Sequence, residues 1–310
     1  MPSTDDRLRQ AVSAIRTLYV AHPAAEAATA EIQRLHAGCD AGLEGECMLL
    51  IGLTRSGKST ILKRYTDRHP PSLDGERDRR PVVYIDVPSR CTVKSLAETL
   101  LARLGDRFPH KGSEPSMTER VLWYLQAQQT ELLILDEFQH LIDRRSQRVH
   151  YDVANWVKQL LNRMQRPILL AGLPTAAHVL DADEQLEWRC AGNRLLNPFD
   201  WDDAKDRQRF RGVLKKFDEQ LRDYGGISRL SDLAEPETAY RVHHATGGLI
   251  GGVARLLTAS VRIAVPDGAA RITPEILQQA CLQLPGTKNP PGSLRSRTRD
   301  AAGAAARTSS

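Results

Sequence analysis

Eight residues, Gly52-Leu53-Thr54-Arg55-Ser56-Gly57-Lys58-Ser59, constrain this chain more than any other stretch. They fit the pattern G-x-x-x-x-G-K-[ST]. The apolar run CMLLI stands directly before them, and a helical pattern begins near Lys58. Glycines let a backbone wrap an anion, and the amides of the loop and of the helix start point inward at it. A chance glycine turn has no reason to sit between a buried strand and a helix, so the context favours a phosphate cradle. The expected phosphate-binding residues are Gly52, Thr54, Arg55, Ser56, Gly57, Lys58, Ser59 and Thr60. Lys58 would reach the β and γ phosphates, and the Ser59 hydroxyl would hold Mg²⁺.

Four more apolar runs follow: PVVYIDV (81–87), ELLILDE (131–137), RPILLAG (166–172) and the weaker RLLNPF (194–199). Between them lie helical periods, such as Val93, Leu96, Leu100, Leu101 and Leu104. Near-continuous apolar strands alternating with helices describe a parallel sheet covered on both faces. The expected fold class is therefore α/β, with a central parallel five-stranded sheet. After about Asp202 the strands stop, and residues 203–223 are charged and helical. Pro236 opens another helix, residues 250–264 form one, and Thr273-Pro274-Glu275 opens the last, with a threonine cap before the proline. The expected organisation is an N-terminal helical segment (1–45, broken at His22-Pro23), an α/β domain (46–202), a helical lid (203–284) and a tail (285–310). The tail is rich in Pro, Gly and Ser and cannot bury a core, so disorder is expected there.

Asp136 and Glu137 follow four apolar residues, Leu132-Leu133-Ile134-Leu135. This is the pattern of a Walker B strand. Asp136 would hold Mg²⁺, directly or through water, and Glu137 would deprotonate the attacking water of ATP hydrolysis. An exposed strand terminus is the plain alternative, and the loop at 52–59 argues against it. A guanine-reading N-K-x-D run and a transporter-type L-S-G-G-Q run are both absent from the sequence.

The 310 residues carry a net charge of +5. Residues 286–310 hold five basic residues and one acidic, while the other 285 hold 38 basic and 37 acidic. A claim of DNA binding must therefore rest on local patches. Five cysteines, an odd number with no C-x-x-C pair, argue against a disulfide framework and a zinc site. With no secretory pattern at the N-terminus and no apolar run of the ~18 residues a membrane span needs, a cytoplasmic protein without membrane contact is expected.

One strand between the two nucleotide motifs, a glutamate after the Walker B aspartate and a helical lid together resemble the AAA+ ATPases. Narrower marks resemble the TniB/TnsC AAA+ ATPases of transposons, over roughly residues 15–285. They are His22-Pro23 with the helix AAEAATAEIQRL, the string Asp136-Glu137-Phe138-Gln139-His140-Leu141, Ala171-Gly172-Leu173-Pro174-Thr175, and Thr246-Gly247-Gly248-Leu249-Ile250-Gly251. The resemblance implies an ATP-dependent regulator of transposition that forms a homo-oligomer, ring or filament, on double-stranded DNA. It would link a TniQ-like target selector to a DDE transposase of the TniA or TnsB type, without cutting DNA itself.

Further roles follow from that class. Arg255 in the lid would face the γ-phosphate. Arg189, in preference to Arg194, would be an arginine finger completing a neighbour's site. A solvated surface arginine is the plain alternative for each. The residue that usually senses the γ-phosphate at the end of the fourth strand is missing, since that strand ends Gly172-Leu173-Pro174 and the nearest hydroxyl is Thr175. Slow hydrolysis is expected on that ground. Loops after the second and third strands supply candidate DNA contacts: Arg90 and Lys94 in the first, Arg144, Arg145 and Arg148 in the second. The cluster Arg77, Arg79 and Arg80, interleaved with acids, reads as a solvated loop. A second hypothesis is an ATP-switched signalling or chaperone-like module that acts on a protein partner. A small-molecule kinase is disfavoured, because Glu137 suits water activation and a helical lid is no acceptor site.

Overall fold

The computed structural model describes residues 3–38, 45–75, 77–142, 147–190, 192, 194–224 and 226–284. The 285–310 tail, Arg144 and Arg145 lie outside the described residues. In chain order the elements are α1 (Thr4–Thr17), α2 (Pro23–Ala37), β1 (Cys47–Gly52), α3 (Lys58–Asp67), β2 (Ser72–Asp74), β3 (Arg77–Arg79) and β4 (Val82–Asp86). Next come α4 (Val93–Leu104), α5 (Glu114–Ala127), β5 (Leu132–Asp136), α6 (Gln139–Ile142), α7 (Gln147–Met164) and β6 (Ile168–Gly172). A 3-10 turn (Pro174–Ala177), α8 (His178–Asp181), α9 (Glu184–Arg189) and β7 (Arg194–Leu196) lead to α10 (Ala204–Tyr224), α11 (Pro236–Thr246), α12 (Ile250–Ala264) and α13 (Pro274–Leu282). They group into two compact units, one of Pro23–Asn197 and one of Met1–His22 with Pro198–Ser310. The N-terminal segment is thus divided at His22-Pro23: α1 belongs to the second unit and α2 to the first.

In the first unit the apolar runs pair as a parallel sheet in the order β4-β5-β6-β1-β7. The register sets Asp86 beside Asp136, and Ile51 beside Gly172 on one side and Leu195 on the other. The nucleotide-motif strands β1 and β5 flank β6, so their C-terminal ends share one edge of the sheet. Sheet residues Leu49, Leu133, Leu135 and Leu170 are sealed against Leu96, Leu100 and Leu101 of α4, Val121 of α5, and Val157 and Leu160 of α7. Each such side chain contributes about 1.5–3 kcal/mol of burial. α4 starts where Thr92 accepts from Ser95 N at 3.2 Å and Thr92 N donates to Ser95 Oγ at 2.8 Å. It stops at Gly105, whose φ is +90°. The fifth strand is short, three residues at the edge.

Residues 72–79, in contrast to the solvated loop read from the sequence, form an antiparallel pair, β2 with β3. Its last arginine is fixed by Glu131, with Arg79 Nη2 at 2.5 Å from the carboxylate, while Arg80 bonds Asp78 at 2.9 Å. Arg79 and Arg80 thus each meet a carboxylate beside the hairpin, which offsets the charge of so polar a stretch.

The second unit is helical. Ala11 and Ile15 of α1 enter a core with Phe210, Leu214 and Phe217 of α10, Val242 of α11, Leu257 of α12 and Leu277 of α13. Thr273 caps α13 through Ile276 N, with Pro274 at its first position. No single helix among the described residues is long and apolar enough to cross a membrane.

Candidate nucleotide site

The cradle begins where β1 ends. Gly52 packs so closely that a Cβ there would lie 2.7 Å from Ser56 Oγ and 2.9 Å from the Leu196 carbonyl. Ser56 N closes the turn onto the Leu53 carbonyl at 3.1 Å. Gly57 takes φ +100° at the start of α3, with no side chain capping the helix. The first-turn amides of α3, at Lys58, Ser59 and Thr60, have no acceptor within the helix, as in any helix start. Ser56 Oγ is buried and without a hydrogen-bond partner. The loop thus presents amides and an orphaned hydroxyl to whatever anion it takes. Thr54 and Arg55 are exposed, Arg55 at φ +69°.

Lys58 is 4% exposed, and its ammonium donates to the Gly52 and Leu53 carbonyls at 2.8 and 3.2 Å. Burial lowers its pKa, and the negative charges of Glu137 and Asp136 oppose that shift. The lysine and both Walker B carboxylates therefore share one field, although they are about eighty residues apart in sequence.

Asp136 is fully buried at the end of β5. One oxygen accepts from Tyr84 Oη at 2.9 Å and the other from Glu137 N at 2.9 Å. Glu137 sits at φ +57°. For a non-glycine residue that conformation costs on the order of 1–3 kcal/mol and needs anchors on both sides. They are the Asp136 side chain before it and the bond from Phe138 N to the Ala171 carbonyl, 2.8 Å, after it. Phe138 itself is fully buried. The Ser59 hydroxyl, half-buried, and the Asp136 carboxylate are hard oxygen donors of the kind that would suit Mg²⁺ together with phosphate and water. Among the described residues no cluster of three or more His, Cys, Asp or Glu could hold a metal alone.

Three residues at this edge escape the motif reading: Tyr84, Asp86 and Gln139. Burial, then the Asp136 charge, raises the Tyr84 phenol, so it stays a proton donor to Asp136. Burial followed by the charges of Asp136 and Glu137 raises Asp86. A signal existed for Asp86, because both PVVYID and LLILD end in aspartate and the two strands pair in register.

Arg189 ends α9 and bonds Asn162 of α7, while Arg194, on edge strand β7, pairs with Glu31 at 3.2 Å. Arg255 is half-buried on α12, in the helical unit. Thr175 is exposed in the 3-10 turn. Arg90 (φ +58°), Lys94 and Arg148 are exposed. Their neighbours Cys91, Thr92 and Val93 on one side, and Val149, Asp152 and Val153 on the other, line one recess of about 400 Å³. His140 Nδ1 donates to the Val87 carbonyl at 2.9 Å and ties the two loops together. Lys94 thus stands in the first turn of α4 and Arg148 in that of α7, where the sequence reading places both in loops, and each is next in sequence to a residue that lines this hollow.

The sheet order, the P-loop and the carboxylate pair at its side define the AAA+ class of P-loop fold. The chain belongs to the TniB family: the family model for the bacterial TniB protein matches residues 12–198. Among solved structures, Cdc6p from Pyrobaculum aerophilum is similar, with a TM-score of 0.61 at 15% identity, over 86% of this chain and 69% of that one. The Aeropyrum pernix ORC2 protein, solved as ADPNP and ADP complexes, gives 0.59 at 17% identity, over 86% and 68%. The Aeropyrum pernix ORC1 protein, solved in complex with DNA, gives 0.56 at 17% identity, over 88% and 69%. At these identities the likeness is one of fold. A search of curated proteins returns no match.

Proposed function

We propose that this protein is an ATP-hydrolysing regulator of DNA transposition, and that its chemistry serves assembly on DNA. The observation that supports hydrolysis most is Glu137: a carboxylate on a strained, doubly anchored backbone, within electrostatic reach of the P-loop lysine. In this reading the amides of 54–60 bind the phosphates of ATP, and Lys58 leaves the Gly52 and Leu53 carbonyls for the β and γ phosphoryl oxygens. Ser59 and Asp136 would hold Mg²⁺, which neutralises charge on those oxygens. Glu137 takes a proton from water as the water oxygen bonds to the γ-phosphorus. The bond from that phosphorus to the β–γ bridging oxygen breaks, and ADP and phosphate leave.

DNA contact is part of the proposal. Arg90, Lys94 and Arg148 are exposed and stand next in sequence to residues that line one recess, and a protein of like fold was solved in complex with DNA. Arginine and lysine at a loop rim suit phosphates and give little sequence preference. The family supports the further partners, a TniQ-like selector and a DDE transposase. In the assembled homo-oligomer Arg255 would serve its own subunit's γ-phosphate, and Arg189 a neighbour's.

Mixing two inactive variants tests the shared site. Lys58→Ala lacks a competent site and Arg189→Ala lacks the finger, so some mixed interfaces join an intact site to an intact finger. ATPase activity should partly return. If Lys58→Ala subunits co-assemble and activity stays absent, Arg189 does not act across the interface, and the same mixture with Arg194→Ala decides for or against the other arginine.

A further inference from the structure

The base at the nucleotide site has a partner that no motif supplies. Gln139 is 3% exposed at the first position of α6. Its Nε2 donates to Glu137 Oε2 at 2.5 Å, and its Oε1 accepts from Leu173 N at 3.0 Å. The amide has one workable orientation. A carboxylate can only accept and a backbone N–H can only donate, so turning the carboxamide over would break both bonds at once. Gly172 makes room for it: a Cβ there would lie 2.5 Å from Gln139 Oε1. Three separate features, the two bonds and the missing side chain at Gly172, serve the placement of one carboxamide.

We infer that Gln139 is a positioning residue that fixes the Glu137 carboxylate against the end of β6. The inference rests on the ATPase reading above and deepens it. The end of β6 offers no Asn, Ser or Thr to sense the reaction. A side chain from α6 reaches across to that place instead and clamps the base to it. With one carboxylate oxygen held by Gln139 and the backbone held at φ +57°, the other oxygen keeps one direction towards water. Glu137 is also tied, through Leu173, to the segment that runs by way of Pro174–Ala177 and α9 to Arg189.

Steady-state ATP hydrolysis by the full chain tests this with four variants: Gln139→Ala, Gln139→Glu, Gly172→Ala, and Gln139→Ala with Gly172→Ala. Gln139→Ala should lower kcat by ~10–100-fold, the scale of a hydrogen bond to a charged group, and leave KM for ATP within about twofold. Gln139→Glu keeps an acceptor for Leu173 N but turns a like charge on Glu137, so it should be at least as slow as Gln139→Ala. A role confined to holding Leu173 would instead leave Gln139→Glu near wild type, and that result overturns the inference. Gly172→Ala should lower kcat alone by pushing the carboxamide off Glu137, yet add nothing in the Gln139→Ala background. Independent, multiplying effects overturn the coupling. If Gln139→Ala does not fold, Gly172→Ala and Gln139→Glu still decide the question. Glu137→Gln separates the two levels. Wild-type turnover by that variant defeats the ATPase reading and the inference with it. Loss of turnover by Glu137→Gln together with full kcat in Gln139→Ala defeats the inference alone.

Discussion

The two units differ in where they place strain and charge. Five non-glycine residues with positive φ (Arg55, Arg90, Gln129, Glu137 and Gln165) belong to the α/β unit, against Asp232 alone among described residues of the helical unit. Arg55, Arg90 and Glu137 stand in the loops that leave β1, β4 and β5. Buried Lys58, Asp136 and Gln139 lie there too. The helical unit spends its buried polar groups on shape. Asp218 accepts from Ser231 N at 2.7 Å and Leu233 N at 3.2 Å, which closes the loop between α10 and α11. Its aromatic groups pack on one another, with Phe210 5.6 Å from Phe199 and 5.2 Å from His243. Backbone strain and a buried cation are costs that a chain keeps where they do chemistry. Changes at these polar residues of the first unit should therefore remove function with the fold intact, and changes in the core of the second should remove stability.

The largest effect is expected at Lys58. Lys58→Ala removes the main cation for the phosphates. ATP affinity should fall by about 10²–10³-fold, the order of a lost buried charge partner, with the circular dichroism spectrum unchanged. The same residue gives a pH signature. Burial lowers the Lys58 pKa, so its charge is lost at a lower pH than for an ordinary lysine, and ATP affinity should weaken on the alkaline side correspondingly early. Nucleotide titrations across pH, with Lys58→Ala as the flat reference, check it.

Phe210→Ala should act oppositely, costing about 3–5 kcal/mol of stability as a large core deletion. Denaturant unfolding of the full chain measures it. A loss under about 1 kcal/mol would mean that the helical core does not depend on its aromatic centre, and the contrast between the units would weaken.

Much of this was legible in the sequence because it depends on local order. The strand ends at Gly52, Asp136 and Gly172 follow from apolar runs that stop at glycine or aspartate, and Thr273-Pro274 marks its helix start by capping chemistry alone. The less legible parts depend on pairing between distant segments. The bonds of Gln139 to Glu137 and Leu173 need β5 and β6 side by side, and Asp86 joins the carboxylates only through the register of β4 on β5. The division of residues 1–45 between the units was hidden because both helices are amphipathic, and a period of 3.6 names a buried face but not what covers it. The cluster Arg77, Arg79 and Arg80 reads as a loop because strand propensity is low there, and the Glu131 carboxylate that holds Arg79 lies far away in sequence.

The smallest predicted effect lies at the rim of the recess. Arg148→Ala should weaken duplex binding evenly across sequences and reduce the slope of log affinity against log salt by about 1, as expected of one lost phosphate contact. An unchanged slope would move the footprint away from this rim.

The most direct test of an ATP switch that acts on DNA is Glu137→Gln, measured twice on the same preparation. Fluorescence anisotropy of a random-sequence duplex reads binding with and without ATP, and phosphate release reads turnover. The account predicts that ATP promotes DNA binding by the variant at least as well as by wild type, while phosphate release falls by about 10²–10⁴-fold, the scale of a lost general base. Wild-type turnover by Glu137→Gln, or DNA binding that is the same with and without ATP, would contradict it.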